Sequence, residues 1–226
     1  MTVELIIFDC DGVLVDSEAI YIDVELEFLA RAGAHFERSA YVRTFMGLSL
    51  DEWRGRVHAE IVDRTGGPPA ADLFDELDAH LLRAFEERLA PLPGARAAVS
   101  GLDLRRCVAS STSLRRLHWK LRHTGLLDLF APHLFSAEMV ARGKPAPDLF
   151  LHAAATLDAD PGRCVVVEDS VNGVAAGRAA GMRVIGFTGG AHCLADHGAV
   201  LGATGAELII DRFADLAPAL ARLHSA

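Results

Sequence analysis

The chain has 226 residues, 51% apolar and 23% charged, enough to bury a sizeable core and too apolar for disorder. A net charge of −9, from 22 basic and 31 acidic residues, argues against sequence-independent binding to nucleic acid or to an acidic membrane. Any anionic ligand has to be met by local positive groups, and lysine is scarce: Lys120 and Lys144 stand against twenty arginines.

In chain order, the first element is an apolar strand, VELIIFD (3 to 9), that turns acidic at Asp9 and Asp11 on either side of Cys10. About a hundred residues separate it from the next strand, far more than a crossover helix needs, so a module is inserted there. Within it Ser17 can cap a helix carrying Ile20, Val24 and Phe28 on one face and ending at Gly33. Ser49 and Glu52 form an S-x-x-E capping box ahead of Trp53, Val57 and Ile61, and Gly66-Gly67-Pro68-Pro69 stops that helix. Leu73, Leu77, Leu81 and Phe85 share the face of a third helix, broken by Pro91-Leu92-Pro93-Gly94. Residues 16 to 90 are read as a helical cap, and 1 to 15 with 91 to 226 as the core.

Strands then alternate with helices: RCVASS (106 to 111), HLFSA (133 to 137), RCVVVED (163 to 169), RVIGFT (183 to 188) and a weaker ELIID (207 to 211). Continuous apolar runs without period-two alternation are the mark of strands buried on both faces, so the class is α/β with a doubly wound parallel sheet. Gly173, Gly177 and Gly181, spaced by four after the RCVVVED strand, predict a helix lying close on the sheet. The four cysteines show no C-x-x-C pair and three sit in or beside apolar runs, as buried reduced thiols do. MTVELIIFD has no basic n-region and no run approaches a membrane span, so a soluble cytoplasmic protein is expected.

Ligands of open parallel sheets bind at the carboxyl ends of the strands. Those ends carry Asp9 and Asp11, Ser110 and Ser111, then Glu168 and Asp169, with Lys144 in the loop after the third strand. A cluster of carboxylates is costly without a cation, and its hard oxygens suit Mg2+, with Asp9 and Asp169 as direct ligands. One carboxylate can attack phosphorus, and a second, Asp11, can give and take the proton. Ser110, backbone N–H groups at a helix N-terminus and Lys144 would stabilise the transferring phosphoryl group. Each element alone is an ordinary strand end or helix cap; four at successive strand ends form a site.

These motifs resemble the haloacid dehalogenase-like hydrolase superfamily, in its phosphatase subgroup with a small helical cap, near β-phosphoglucomutase and phosphoglycolate phosphatase. DCDGVLVDS, VASS, GKPAPD and VVEDSVNG stand in the family's order and span essentially the whole chain. The resemblance implies a Rossmann-like core and Mg2+ dependence. It makes Asp9 the nucleophile, Asp11 the general acid/base that also binds metal through its backbone carbonyl, and Asp169 a metal ligand. Ser110 and Ser111 fall on the phosphate motif, Lys144 on the nucleophile and phosphate, and Glu168 outside the metal's direct ligands. A small phosphate ester, a sugar phosphate or a phosphorylated hydroxy acid, is the implied substrate, cleaved through an aspartyl-phosphate.

Dehalogenases of the family this chain resembles lack the second aspartate, so the resemblance makes Asp11 favour phosphoryl transfer over carbon–halogen cleavage; the family's phosphonate-cleaving branch needs a cap lysine for its Schiff base, and this cap has none. The sugar phosphomutase is the rival: mutases resembling this chain carry a cap histidine and an arginine where Tyr21 and Leu50 stand. A phosphoaspartate receiver module is a third reading, disfavoured by the insert and by Asp11. Glu18, Arg43, Ser49 and Arg54 are possible substrate contacts in the cap, equally readable as solvated helix faces. Whether the protein is a monomer or a dimer is left open.

One stretch falls outside this scheme. In AHCLADH (191 to 197), His192, Cys193 and His197 have zinc-ligand chemistry, but no fourth ligand follows at a zinc-site spacing. It is read as a surface loop and short helix after a Gly-Gly turn.

Overall fold

The computed structural model describes residues 2–46, 48 and 50–225, with Leu50 and Ser225 described by backbone alone. It divides into two compact units, residues 17–89 and residues 1–16 with 90–226.

The larger unit is a Rossmann-like α/β fold. Six parallel strands, β1 (Leu5–Phe8), β2 (Arg105–Ser110), β3 (Leu134–Ser136), β4 (Cys164–Glu168), β5 (Arg183–Phe187) and β6 (Leu208–Ile210), lie in the order β3-β2-β1-β4-β5-β6. All six predicted runs are strands, the weak ELIID included; five are shorter than their apolar runs, and β2 keeps its length one residue earlier in the chain. β1 is LIIF and β4 is CVVVE, every residue buried, because helices cover both faces of the sheet. Leu5 and Ile7 share a core with Cys107, Val166, Phe150 and Val174, while Phe8 on the opposite face meets Phe130 edge-on at 5.7 Å.

Register decides what the strand ends present. Phe8 is level with Val108 and Val167, and the Asp9 N–H still donates to the Val167 carbonyl at 3.0 Å. Asp9, Ser110 and Glu168 therefore leave three adjacent strands within about a residue of one another.

Around the sheet run α5 (Ala95–Ser100), α6 (Leu114–His123), α7 (Asp148–Thr156), α8 (Val171–Ala179), α9 (His197–Thr204) and α10 (Leu216–Ser225). The three spaced glycines turn out to serve different ends. A Cβ on Gly177 would sit 2.8 Å from Val184, so this one does bring α8 close to the sheet. One on Gly173 would lie 1.7 Å from Glu168 Oε1, so its bare face makes room for a carboxylate. Gly181, with φ +74°, ends the helix in open space.

The smaller unit holds α1 (Ser17–Arg31), α2 (Arg38–Phe45), α3 (Leu50–Thr65) and α4 (Leu73–Arg88). Ser17 is the first helical residue of α1, and Ser49 of the predicted capping box lies outside the described residues. α2 escapes sequence reading because it is short, has no side-chain cap bond at Glu37 and buries only Tyr41 and Phe45, which stack at 4.7 Å. Tyr41 donates its hydroxyl proton to Glu25 and accepts from Trp53 Nε1 at 2.8 Å. Burial pushes the Glu25 carboxyl up to about 8, against the opposing hydrogen bond from Tyr41. Among the described residues, no helix is long and apolar enough to cross a membrane.

Candidate active site

Lys144 organises the strand ends. Its Nζ donates to Asp9 Oδ1 at 2.5 Å, to Glu168 Oε1 at 2.7 Å and to the Ala109 carbonyl at 3.0 Å, which uses all three ammonium protons. The group also sits 4.8 Å from the Phe150 ring centroid. Burial works against its charge, but Asp9 and Glu168 outweigh that and hold the ammonium above its ordinary range.

Glu168 is wholly buried, and its second oxygen accepts from the backbone N–H and the hydroxyl of Ser170, each at 2.9 Å. Ser170 in turn caps α8 by accepting from the Gly173 N–H at 3.0 Å. One carboxylate is thus fixed by a lysine, a helix cap and a missing side chain.

Asp9, 7% exposed, and the buried Asp169 complete an oxygen cluster with Glu168, one carboxylate oxygen from each lying within 4.8 Å of the others. Burial raises the Asp9 carboxyl well above its usual range; Lys144 opposes this, and the neighbouring carboxylates reinforce it. Burial likewise raises Asp169, with Glu168 adding to the effect. Three buried carboxyl groups share one lysine, and their hard oxygens have the chemistry that suits a divalent cation. The residues fit Mg2+, which Asp9 and Asp169 would hold, since Glu168 is already committed to Lys144 and Ser170.

The Asp11 carboxylate points elsewhere. It accepts from Thr112 Oγ1 at 2.9 Å and pairs with Lys120, a residue of α6 only 2% exposed. Ser110, at the end of β2, is buried and accepts from the Thr112 N–H at 3.0 Å, whereas Ser111 is exposed. Sequence reasoning missed Lys120 and Thr112. The signal was there: a lysine three residues after Leu117 and one before Leu121 lies on the helix's apolar stripe, where a cation needs a buried partner. Both lysines of the chain thus neutralise carboxylates at the strand ends.

The AHCLADH segment is also drawn in: Ala191, Ala195 and Asp196 are exposed and a short helix begins at His197, as expected of a surface loop, but His192 is not on the surface. His192 is 5% exposed and its Nε2 lies 2.9 Å from Asp169 Oδ2, while His197 Nε2 contacts the Asp169 carbonyl at 2.6 Å. Two glycines make the space. A Cβ on Gly12, whose φ is +76°, would lie 2.0 Å from Asp169 Oδ2, and one on Gly190 would lie 2.5 Å from the His192 ring.

The sequence signature of haloacid dehalogenase-like hydrolases matches residues 3–181. The chain belongs to this family. Among characterised relatives of this hydrolase, hexitol phosphatase B of Escherichia coli (strain K12) is 36% identical over 188 residues, 79% of this chain and 81% of the relative. The 6-phosphogluconate phosphatase of the same organism is 31% identical over 192 residues, 84% and 85% of the two chains. A crystal structure of a family hydrolase from Deinococcus radiodurans R1, with bound phosphate and sodium, superposes with a TM-score of 0.86 at 35% identity. It covers 97% of this chain and 96% of that one.

Proposed function

We propose that the protein is a Mg2+-dependent phosphatase of small phosphorylated metabolites, acting through an aspartyl-phosphate on Asp9. The observation that carries this is the Lys144 bridge between Asp9 and Glu168 beside Asp169, which holds a carboxylate nucleophile against a hard-oxygen cluster. The names of the relatives direct the substrate class toward phosphorylated six-carbon polyols, sugars and sugar acids.

When bound, Mg2+ neutralises the carboxylates and holds a phosphate oxygen. Asp9 Oδ attacks phosphorus in line, the ester oxygen leaves, and water then breaks the acyl phosphate. Lys144 keeps Asp9 oriented and offsets charge gathering on the equatorial oxygens. Ser110 and the N–H groups that open α6 bind the phosphoryl group from the side of β2. Asp11 has first to take up a proton, from the Lys120 ammonium or from solvent; it gives that proton to the leaving oxygen and regains one from the attacking water. Both Asp11 oxygens are engaged in this structure, so it has to exchange Lys120 or Thr112 for the substrate, and these two residues hold it between turnovers. Residues 17–89 act as the cap in this reading and are where selectivity for the organic part of the ester is to be sought.

A phosphate-release screen over several dozen metabolite esters with Mg2+ tests the proposal. Asp9→Asn is expected to lower kcat on the best substrate by about a thousandfold or more. An Asp9→Asn enzyme with activity close to wild type overturns the nucleophile, and inorganic phosphate released from none of the esters overturns the reading.

A further inference from the structure

His192, Cys193 and His197 bring one ligand atom each within 4.8 Å of the others. What the sequence lacked was a fourth ligand, and the fold offers a candidate in Asp169, which follows β4 and whose Oδ2 lies 2.9 Å from His192 Nε2. Two of the spacings can be set against those of a filled site. Tetrahedral zinc bound to one sulfur and one nitrogen holds them about 3.6 Å apart, and two nitrogen or oxygen ligands about 3.3 Å apart. Cys193 Sγ is 3.4 Å from His192 Nε2, so sulfur is near that distance, and the Asp169 oxygen has to withdraw by a few tenths of an ångström.

His197 adds a separate argument. Donation from Nε2 to the Asp169 carbonyl fixes the tautomer that leaves a lone pair on Nδ1. A ring whose second N–H is anchored to a carbonyl is the usual setting of a metal-binding histidine. Among the four cysteines, Cys10, Cys107 and Cys164 are buried, and Cys193 alone keeps solvent access.

We infer that His192, Cys193 and His197, with the Asp169 carboxylate, form a second metal site of soft character that takes a thiophilic divalent ion such as Zn2+. It differs in ligand chemistry from the all-oxygen cluster of Asp9, Glu168 and Asp169, so Mg2+ does not compete for it. The two sites share Asp169. An ion held by the histidines and the thiolate draws Asp169 Oδ2 toward itself and inhibits the hydrolase, a consequence that rests on the phosphatase reading.

Co2+ is the probe, added to the whole protein with Mg2+ in large excess. One equivalent is expected to give the visible bands of tetrahedral cobalt and a near-ultraviolet sulfur-to-cobalt charge-transfer band, both erased by Zn2+. Cys193→Ser loses the charge-transfer band, and His197→Ala weakens Co2+ binding by about tenfold or more. A wild-type spectrum without a charge-transfer band, or a band that persists in Cys193→Ser, overturns the site. For the regulatory part, Zn2+ in the presence of Mg2+ is expected to inhibit wild type at concentrations that leave Cys193→Ser active. Equal inhibition of the two proteins overturns that part. The cobalt spectrum judges the site even if no ester is hydrolysed, so the two readings fail separately.

Discussion

Two regions of the molecule bury carboxyl groups and solve the problem in opposite ways. At the strand ends, Glu168 and Asp9 meet the ammonium of Lys144, and their pull holds that ammonium above its ordinary range against its own burial. In the helical unit, Glu25 meets the Tyr41 hydroxyl, itself bonded to Trp53, and burial pushes its carboxyl up toward neutrality. One region sets a cation against its carboxyl groups, the other a neutral hydroxyl. The partner sets the two cases apart.

Breaking the contrast at its charged end has the largest effect. Lys144→Met leaves two buried carboxylates facing each other and is expected to cost about 3–5 kcal/mol of stability, measured by urea unfolding. Added Mg2+ should recover more of that loss in the variant than it adds to wild type, because a cation replaces a cation. Equal Mg2+ stabilisation of the two proteins contradicts the view that lysine and metal answer the same charge.

Next comes the pH dependence of Glu25. Its ordinary value of 4.5 rises to about 8 in the folded chain, so folding takes up a proton between those limits. Stability from this group is therefore greatest below pH 4.5 and is lost as the pH climbs through 8. The span is on the order of 2–4 kcal/mol, less than the full shift implies because Glu25 is only half-buried. Melts of Glu25→Gln across pH 5 to 8 are expected to lose this component of the slope; an unchanged slope assigns it elsewhere.

Tyr41→Phe removes one donor and one acceptor from the network at a cost of about 1–3 kcal/mol, with no direct effect on Mg2+ dependence. The smallest effect is that of Ser170→Ala, about 1 kcal/mol from a lost helix cap. Its hydroxyl also steadies Glu168, so the variant should raise the Mg2+ concentration needed for half-maximal activity. A Tyr41→Phe enzyme with the same altered Mg2+ requirement blurs the distinction between the two regions.

The sheet was legible because continuous apolar runs such as LIIF and CVVVE read as strands buried on both faces, and the polar residues that end them fall together once the strands are parallel. Asp9, Ser110, Lys144, Glu168 and Asp169 could be collected on that rule. Lys120 and His192 could not, because their partners, Asp11 and Asp169, are distant in sequence and only the packing of α6 and of the loop after β5 brings them near. Gly173 was recognised as a small residue required by packing, yet the group that needs the space is a glutamate carboxylate rather than the sheet. Sequence spacing reports that a side chain must be absent without reporting what occupies its place. α2 was missed for a simpler reason, since two aromatic anchors do not make a period.

The use of both lysines at the strand ends has a practical consequence. Their side chains are 3% and 4% exposed and ion-paired, and the remaining positive side chains of the surface are guanidinium groups or imidazoles. Amine-directed labels, crosslinkers and acetylating reagents therefore find almost no side-chain target on the folded chain, a chain terminus apart. Modification of Lys120 or Lys144 becomes a clock for local opening at each, read by mass spectrometry from two separate peptides.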